Sequence, residues 1–180
     1  MIRRLSLLVA LLVGFTGPAG ASSFTLETSA FLNDGDIPAT DAANADHCGG
    51  RNISPPLLLT GFPANTRSLA VVVLDTDGNG GRGFVHWVAY GIKPSAASLP
   101  PGFGSQPSPA FTGGTNDPGT TTYFGPCPPP GDKPHRYQFT LFAVDVAKLD
   151  ADEQSSGAVV GFNLHFHSLA KATLTGSYGH

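Results

Sequence analysis

The sequence predicts a mainly β domain with long loops. Three observations carry the prediction. Glycine (23) and proline (16) are abundant and charged residues make up only 13%, a mixture that disfavours a helical bundle. Apolar residues, at 41%, suffice for a core. They fall in short alternating or β-branched runs bounded by turns rather than at helical spacing. A chain of 180 residues suits one domain, and no repeat or linker divides it.

The first 21 residues read as an export signal. Arg3-Arg4 form a basic start, Leu5 to Phe15 an apolar stretch, and Ala19-Gly20-Ala21 the small residues of a cleavage site, with the cut between Ala21 and Ser22. An uncleaved membrane anchor is the alternative, although the apolar stretch is short for a bilayer. Cleavage leaves a single domain over 22–180, with 8 basic against 13 acidic residues and a net charge of −5. No basic stripe remains, which argues against nucleic acid as a partner. No second apolar segment is long enough to span a membrane. The expected location is periplasmic or secreted.

The elements follow in order. Ser23 to Thr28 alternates like a strand, and Asn33 to Pro38 reads as a turn. Ser68-Leu69-Ala70-Val71-Val72-Val73-Leu74-Asp75 reads as a central strand buried on both faces. A flexible polar turn, Asp75 to Gly81, ends it. Phe84 to Ile92 is the next strand. Residues 93–124 form a long irregular excursion of the kind that carries function. A strand runs from Phe139 to Asp145. A helix over Gly157 to Phe166, capped by Ser155 or Ser156, and a last strand over Ala170 to Tyr178 complete the domain.

The chain has two cysteines, Cys48 and Cys127. In an oxidising compartment a disulfide is the simplest reading, with two separate thiols as the alternative. Cys127 lies in Gly125-Pro126-Cys127-Pro128-Pro129-Pro130-Gly131, a loop with little backbone freedom left to lose. That loop delivers His135 and Tyr137 to the start of a strand. Asp75 and Asp77 follow another strand, and His86 lies inside a third. If these strands are neighbours, the five polar groups converge on one cavity. The carboxylates should then favour imidazolium and fix the ring orientations, so that the site offers N–H donors to an anion. Gly125 and Gly131 allow main-chain N–H groups to join in.

The same residues admit other chemistry. Asp-x-Asp with two histidines also looks like a divalent-metal site, and a His/Asp pair can serve acid–base catalysis, although no nucleophile elbow is visible. The plainest alternative is a set of polar residues bracing loops. His165 and His167 are spaced as metal ligands on a strand can be, but at a helix end they fit a structural or interface role better. Gly78-Asn79-Gly80-Gly81 lacks the lysine of a phosphate loop. Trp87 reads as core or pocket wall.

Five motifs occur in one order: Asn52-Ile53-Ser54-Pro55-Pro56-Leu57, Asp75-Thr76-Asp77, Phe84-Val85-His86-Trp87, Tyr123 to Gly131, and His135-Arg136-Tyr137-Gln138-Phe139. With the tail Val160 to Ala170, the chain from Phe24 to Tyr178 resembles the phosphatidylethanolamine-binding protein family, also called Raf kinase inhibitor-like proteins, in its bacterial branch. The resemblance implies a large antiparallel sheet packed with a smaller one, few helices, and a pocket for phosphate-like head groups. Carried onto this chain, the pocket motifs fall on Asp75, Asp77, His86, Gly125, Pro126, His135 and Tyr137. Thr76 stands where the family commonly has proline, which leaves the rigidity and peptide geometry of that loop open.

The function expected is non-catalytic binding or regulation through a small anion pocket that takes a phosphate, a carboxylate or a phospholipid-head-group-like ligand. No cofactor or metal is assigned. The first alternative is an inhibitor of a kinase-like or protease-like protein partner; a hydrolase is the second. The resemblance also leaves a homodimer open.

Overall fold

The structure, a computed structural model, describes residues 23–45 and 47–179. The export signal expected over residues 1–21 and its cut after Ala21 lie outside the described residues. The strands form two sheets. Strands β1 (Thr25–Glu27), β3 (Leu57–Thr60) and β6 (Ser98–Leu99) make a small antiparallel sheet in the order β1-β3-β6. Strands β2 (Gly35–Asp36), β4 (Ser68–Asp75), β5 (Phe84–Ile92), β7 (Thr112–Gly113), β8 (His135–Val144) and β9 (Ser168–Tyr178) make a six-stranded sheet in the order β2-β9-β8-β4-β5-β7. Its pairs are antiparallel except β2–β9 at the edge. Among the described residues the two α-helices are the single turn α1 (Gly78–Gly81) and α2 (Gly157–His167), and Ala39–Asp41 forms a 3₁₀ turn.

The large sheet is covered on both faces. Val71, Val73, Trp87, Ala89, Phe139, Leu141 and Leu174 meet Leu26, Leu57, Leu59 and Leu99 of the small sheet in the main core. On the opposite face Ala70, Val88, Tyr90 and Val144 pack against Val160 and Leu164 of α2. This double burial explains why β4 is apolar along its length instead of alternating. Ser156 caps α2, its hydroxyl accepting from the Val159 N–H.

Several boundaries differ from those expected. β8 begins at His135, so His135 and Tyr137 lie within a strand and not before it. Register with β4 extends to Asp75 opposite Tyr137, and this pairing straightens the chain as soon as the proline run ends. β9 begins at Ser168, directly after α2. The segment 78–81 is a tight turn with Asn79, Gly80 and Gly81 at φ of 53°, 66° and 82°. No cis peptide bond occurs among the described residues, the Asp75-Thr76-Asp77 segment included.

The C-terminal end of β4 and the starts of β5 and β8 lie together at one end of the large sheet. A disulfide between Cys48 and Cys127 ties the proline-rich loop before β8 to the segment preceding β3. Tyr178, near the end of β9, donates its hydroxyl to the Cys48 carbonyl at 3.0 Å.

Candidate functional site

Asp75 organises this end of the sheet. Its Oδ1 accepts the backbone N–H groups of Asp77 (2.9 Å) and Gly78 (2.8 Å). Its Oδ2 lies 2.7 Å from His135 Nδ1 and 4.0 Å from His86 Nε2. Position 78 must be glycine for this approach: a Cβ there would stand 2.8 Å from Phe84 Cβ and 3.1 Å from the Asp75 carboxylate.

His86 reaches the site through a β-bulge. Val73 pairs with Trp87 and Leu74 with Val85, which leaves His86 as the extra residue of β5. Its carbonyl accepts from the Asn116 amide (2.9 Å) and the Phe124 N–H (3.1 Å) in place of the ladder. The ring is 3% exposed and sits among Phe84, Phe124 and Tyr137, with centroids 5.2, 5.6 and 5.1 Å away. Its Nδ1 donates to the Phe124 carbonyl at 2.9 Å. Burial lowers the His86 pKa, although the Phe124 carbonyl and the Asp75 charge press the other way. The expectation that the carboxylates hold the imidazoles protonated is therefore corrected at His86: desolvation outweighs the neighbouring charge.

His135 and Tyr137 point to the same side of β8. His135 Nε2 lies 3.6 Å from Asp132 Oδ2. Tyr137 is fully buried, and its hydroxyl has Asp75 and the Cys127 backbone as polar neighbours without a well-formed hydrogen bond. Burial, reinforced by the Asp75 charge, raises its pKa far above the ordinary range, so it stays protonated.

A cavity of about 750 Å³ opens here. Asp75, His86 and His135 line it, with Asp77, Phe84, Asp117, Phe124, Cys127 and Asp132. Asp77 turns its carboxylate to Arg136, which binds it through Nε (3.0 Å), Nη2 (2.9 Å) and the backbone N–H (2.9 Å). That pair holds the Asp77 carboxyl well below the usual carboxylate range.

Gly125 and Pro126 do not line the cavity, although the Gly125 backbone acts on the His86 ring. The Gly125 N–H donates to Asn52 Oδ1 at 2.8 Å, and the Pro126 carbonyl accepts from Ala43 at 3.0 Å. The Gly125 N–H is thus already engaged, and a Cβ at position 125 would collide with the Asp41 and Ala42 backbone.

Sequence reasoning missed Phe84, Phe124, Asp117 and Asp132 as wall residues and Asn116 as the support of the bulge. The signal for Asp132 was available, since it sits three residues before His135 in a constrained loop. Phe84 and Phe124 lie within the motifs that carry the resemblance, and nothing local marks Asp117 or Asn116. Trp87 lies in the core, 1% exposed, edge-on to Phe111 and Tyr123. His167 Nδ1 is 2.9 Å from Asp145, and His165 packs edge-on to Phe166. Among the described residues no group of three or more His, Cys, Asp or Glu is arranged to hold a metal, and no helix is long and apolar enough to cross a membrane.

The arrangement is one buried carboxylate bonded to His135 and facing His86 in the wall of a partly aromatic cavity. Asp75 orients the His135 ring and the Phe124 carbonyl orients the His86 ring, and together they can exchange protons with a bound group and hold it out of bulk water. Proteins of known sequence and structure share the fold that builds this arrangement. UPF0098 protein YbhB of Escherichia coli is 43% identical over 152 residues, 82% of this chain and 95% of that protein. LppC of Mycobacterium tuberculosis, named as a candidate lipoprotein, is 39% identical over 139 residues, 75% of this chain and 63% of that protein. The crystal structure of E. coli YbcL, titled a new member of the mammalian PEBP family, aligns with a TM-score of 0.83 at 33% identity, covering 88% of this chain and 99% of that one. The family model described as phosphatidylethanolamine-binding protein matches residues 27–179, and the chain belongs to that family.

Proposed function

We propose that this protein is an exported, non-catalytic binding protein whose cavity at the end of the large sheet takes a small phosphate or carboxylate group, free or as part of a phospholipid-like head group. The observation that carries the reading is the buried Asp75 carboxylate bonded to His135 and facing His86, all three lining one cavity. With both Nδ1 atoms held by fixed acceptors, the two Nε2 atoms are left to hydrogen-bond a compact phosphate or carboxylate group. Among the described residues the cavity lining includes no serine, threonine or free thiol to serve as a nucleophile, which favours binding over hydrolysis. The disulfide and the lipoprotein-named relative support a location in the cell envelope or outside the cell.

Phosphate titration by calorimetry tests the reading. The parent protein should bind, and His86→Ala and His135→Ala should not. Equal binding by both variants would move the site elsewhere.

A further inference from the structure

Both imidazoles commit the same ring nitrogen as donor. His86 Nδ1 faces the Phe124 carbonyl at 2.9 Å, and His135 Nδ1 faces Asp75 Oδ2 at 2.7 Å. A carbonyl or carboxylate oxygen can only accept. Whenever either ring is neutral, its one proton is therefore on Nδ1 and its Nε2 is a bare lone pair. These Nε2 atoms meet further acceptors beyond hydrogen-bond reach: Asp75 Oδ2 at 4.0 Å from His86, and Asp132 Oδ2 at 3.6 Å from His135. The cavity adds Asp77 and Asp117, and among the described residues no lysine or arginine lines it. With neutral rings the side chains around it are mostly acceptors, and a fully ionised phosphate would find few partners.

We propose that the cavity binds a phosphate group only together with a proton donor, which for free phosphate is the P–OH of the monoanion resting on His86 Nε2. This deepens the proposed anion site and rests on it. The groups facing His86 agree with the assignment. Asp75 comes from β4, Tyr137 and His135 from β8, Asp117 from the segment between β7 and β8, and the Phe124 and Gly125 backbone from the loop that leads to β8. Tyr137 keeps its proton, and burial makes His86 a poor base, so the proton is better held on the phosphate oxygen and shared with Nε2. A ligand bearing an ammonium group brings its own donors for the same acceptors.

The test is calorimetry on the disulfide-bonded protein in buffers of different ionisation enthalpy, with inorganic phosphate as the probe. About one proton should be taken up per phosphate bound near pH 8, and affinity should fall roughly tenfold per pH unit above the second phosphate ionisation. Dimethyl phosphate, which lacks a P–OH, should bind more weakly than inorganic phosphate near pH 6. Glycerophosphoethanolamine distinguishes the sources. Binding without proton uptake identifies a lipid head group; binding weaker than that of inorganic phosphate identifies free phosphate.

His86→Gln supplies an N–H donor and should abolish proton uptake while phosphate still binds; a thermal melt checks its fold, and His86→Asn gives the same readout if it does not fold. Phosphate binding without proton uptake, or with an affinity flat to pH 9, overturns the proposal and leaves the anion site standing. No phosphate binding at pH 6 by folded parent protein overturns the anion site itself, and the proposal with it.

Discussion

Asp75 Oδ2 lies 2.7 Å from His135 Nδ1, while the other oxygen of the same carboxylate is fixed by two backbone N–H groups. The carboxylate cannot turn without giving up both, so the His135 tautomer is set by the backbone of the turn after β4. Asp75→Ala should unfix the ring and strand two buried N–H groups, at a cost of about 1.5–3 kcal/mol. Asp75→Asn is the sharper probe. Its amide oxygen can keep the N–H groups while its NH₂ faces His135, which moves the ring proton to Nε2. Nitrogen NMR should then report an Nε2–H tautomer at position 135. An unchanged tautomer would show that Asp75 does not set it.

The Cys48–Cys127 bridge closes a sequence separation of 79 and places Cys127 in the cavity wall. On chain entropy alone a loop of that length contributes about 4 kcal/mol. Reduction, or replacement of both cysteines by serine, should lower the melting temperature and weaken phosphate binding together, because the tether and the wall are the same segment. Intact mass with and without reductant measures the bond. Two thiols alkylating freely in unreduced protein would refute it.

The positions that shape the cavity and those that hold the core can be separated by melting. Trp87→Ala removes a 1%-exposed indole between Phe111 and Tyr123, and should cost about 3–5 kcal/mol. His86→Ala and His135→Ala should keep most of the stability and lose phosphate. Gly104→Ala should behave like Trp87→Ala, because its Cβ would run into the indole. A Gly104→Ala protein as stable as the parent would mean that the loop over Trp87 yields freely.

What the sequence discloses, and what it hides, follows from how local each signal is. β4, β5 and α2 have apolar runs or a capping serine, and all three are legible. β2, β6 and β7 are two residues each, too short to carry a period. β3 sits behind Pro55-Pro56, and its four residues are apolar until Thr60. At the site, Asp75, His86 and His135 could be named because each adjoins a strand. Asp117 and Asn116 could not, since only tertiary packing brings the 93–124 excursion back to His86. The charge state of His86 was misread for a related reason. Sequence reveals that carboxylates are near in number, but not that three aromatic rings exclude water from the imidazole.

Asp41 supplies the last prediction. It is 5% exposed; its Oδ1 accepts from Thr40 at 3.1 Å, and its Oδ2 has no partner. Burial pushes its pKa up from 3.8 to about 6, against the smaller opposing effect of the Thr40 hydroxyl. The folded protein therefore holds this proton more tightly than the unfolded chain. Below the unfolded value both states are protonated and nothing is lost. As pH rises from about 4 to about 6 the unfolded chain gives up its proton first, and stability falls. Above that window the full cost, about 1–3 kcal/mol, remains. Asp41→Asn stays neutral throughout. Its stability relative to the parent should therefore improve between pH 4 and pH 7 by that amount, whatever its amide costs at both. Urea denaturation at the two pH values measures the change. An equal difference at both would mean that Asp41 is solvated enough to ionise normally, and that its unpartnered oxygen reaches water.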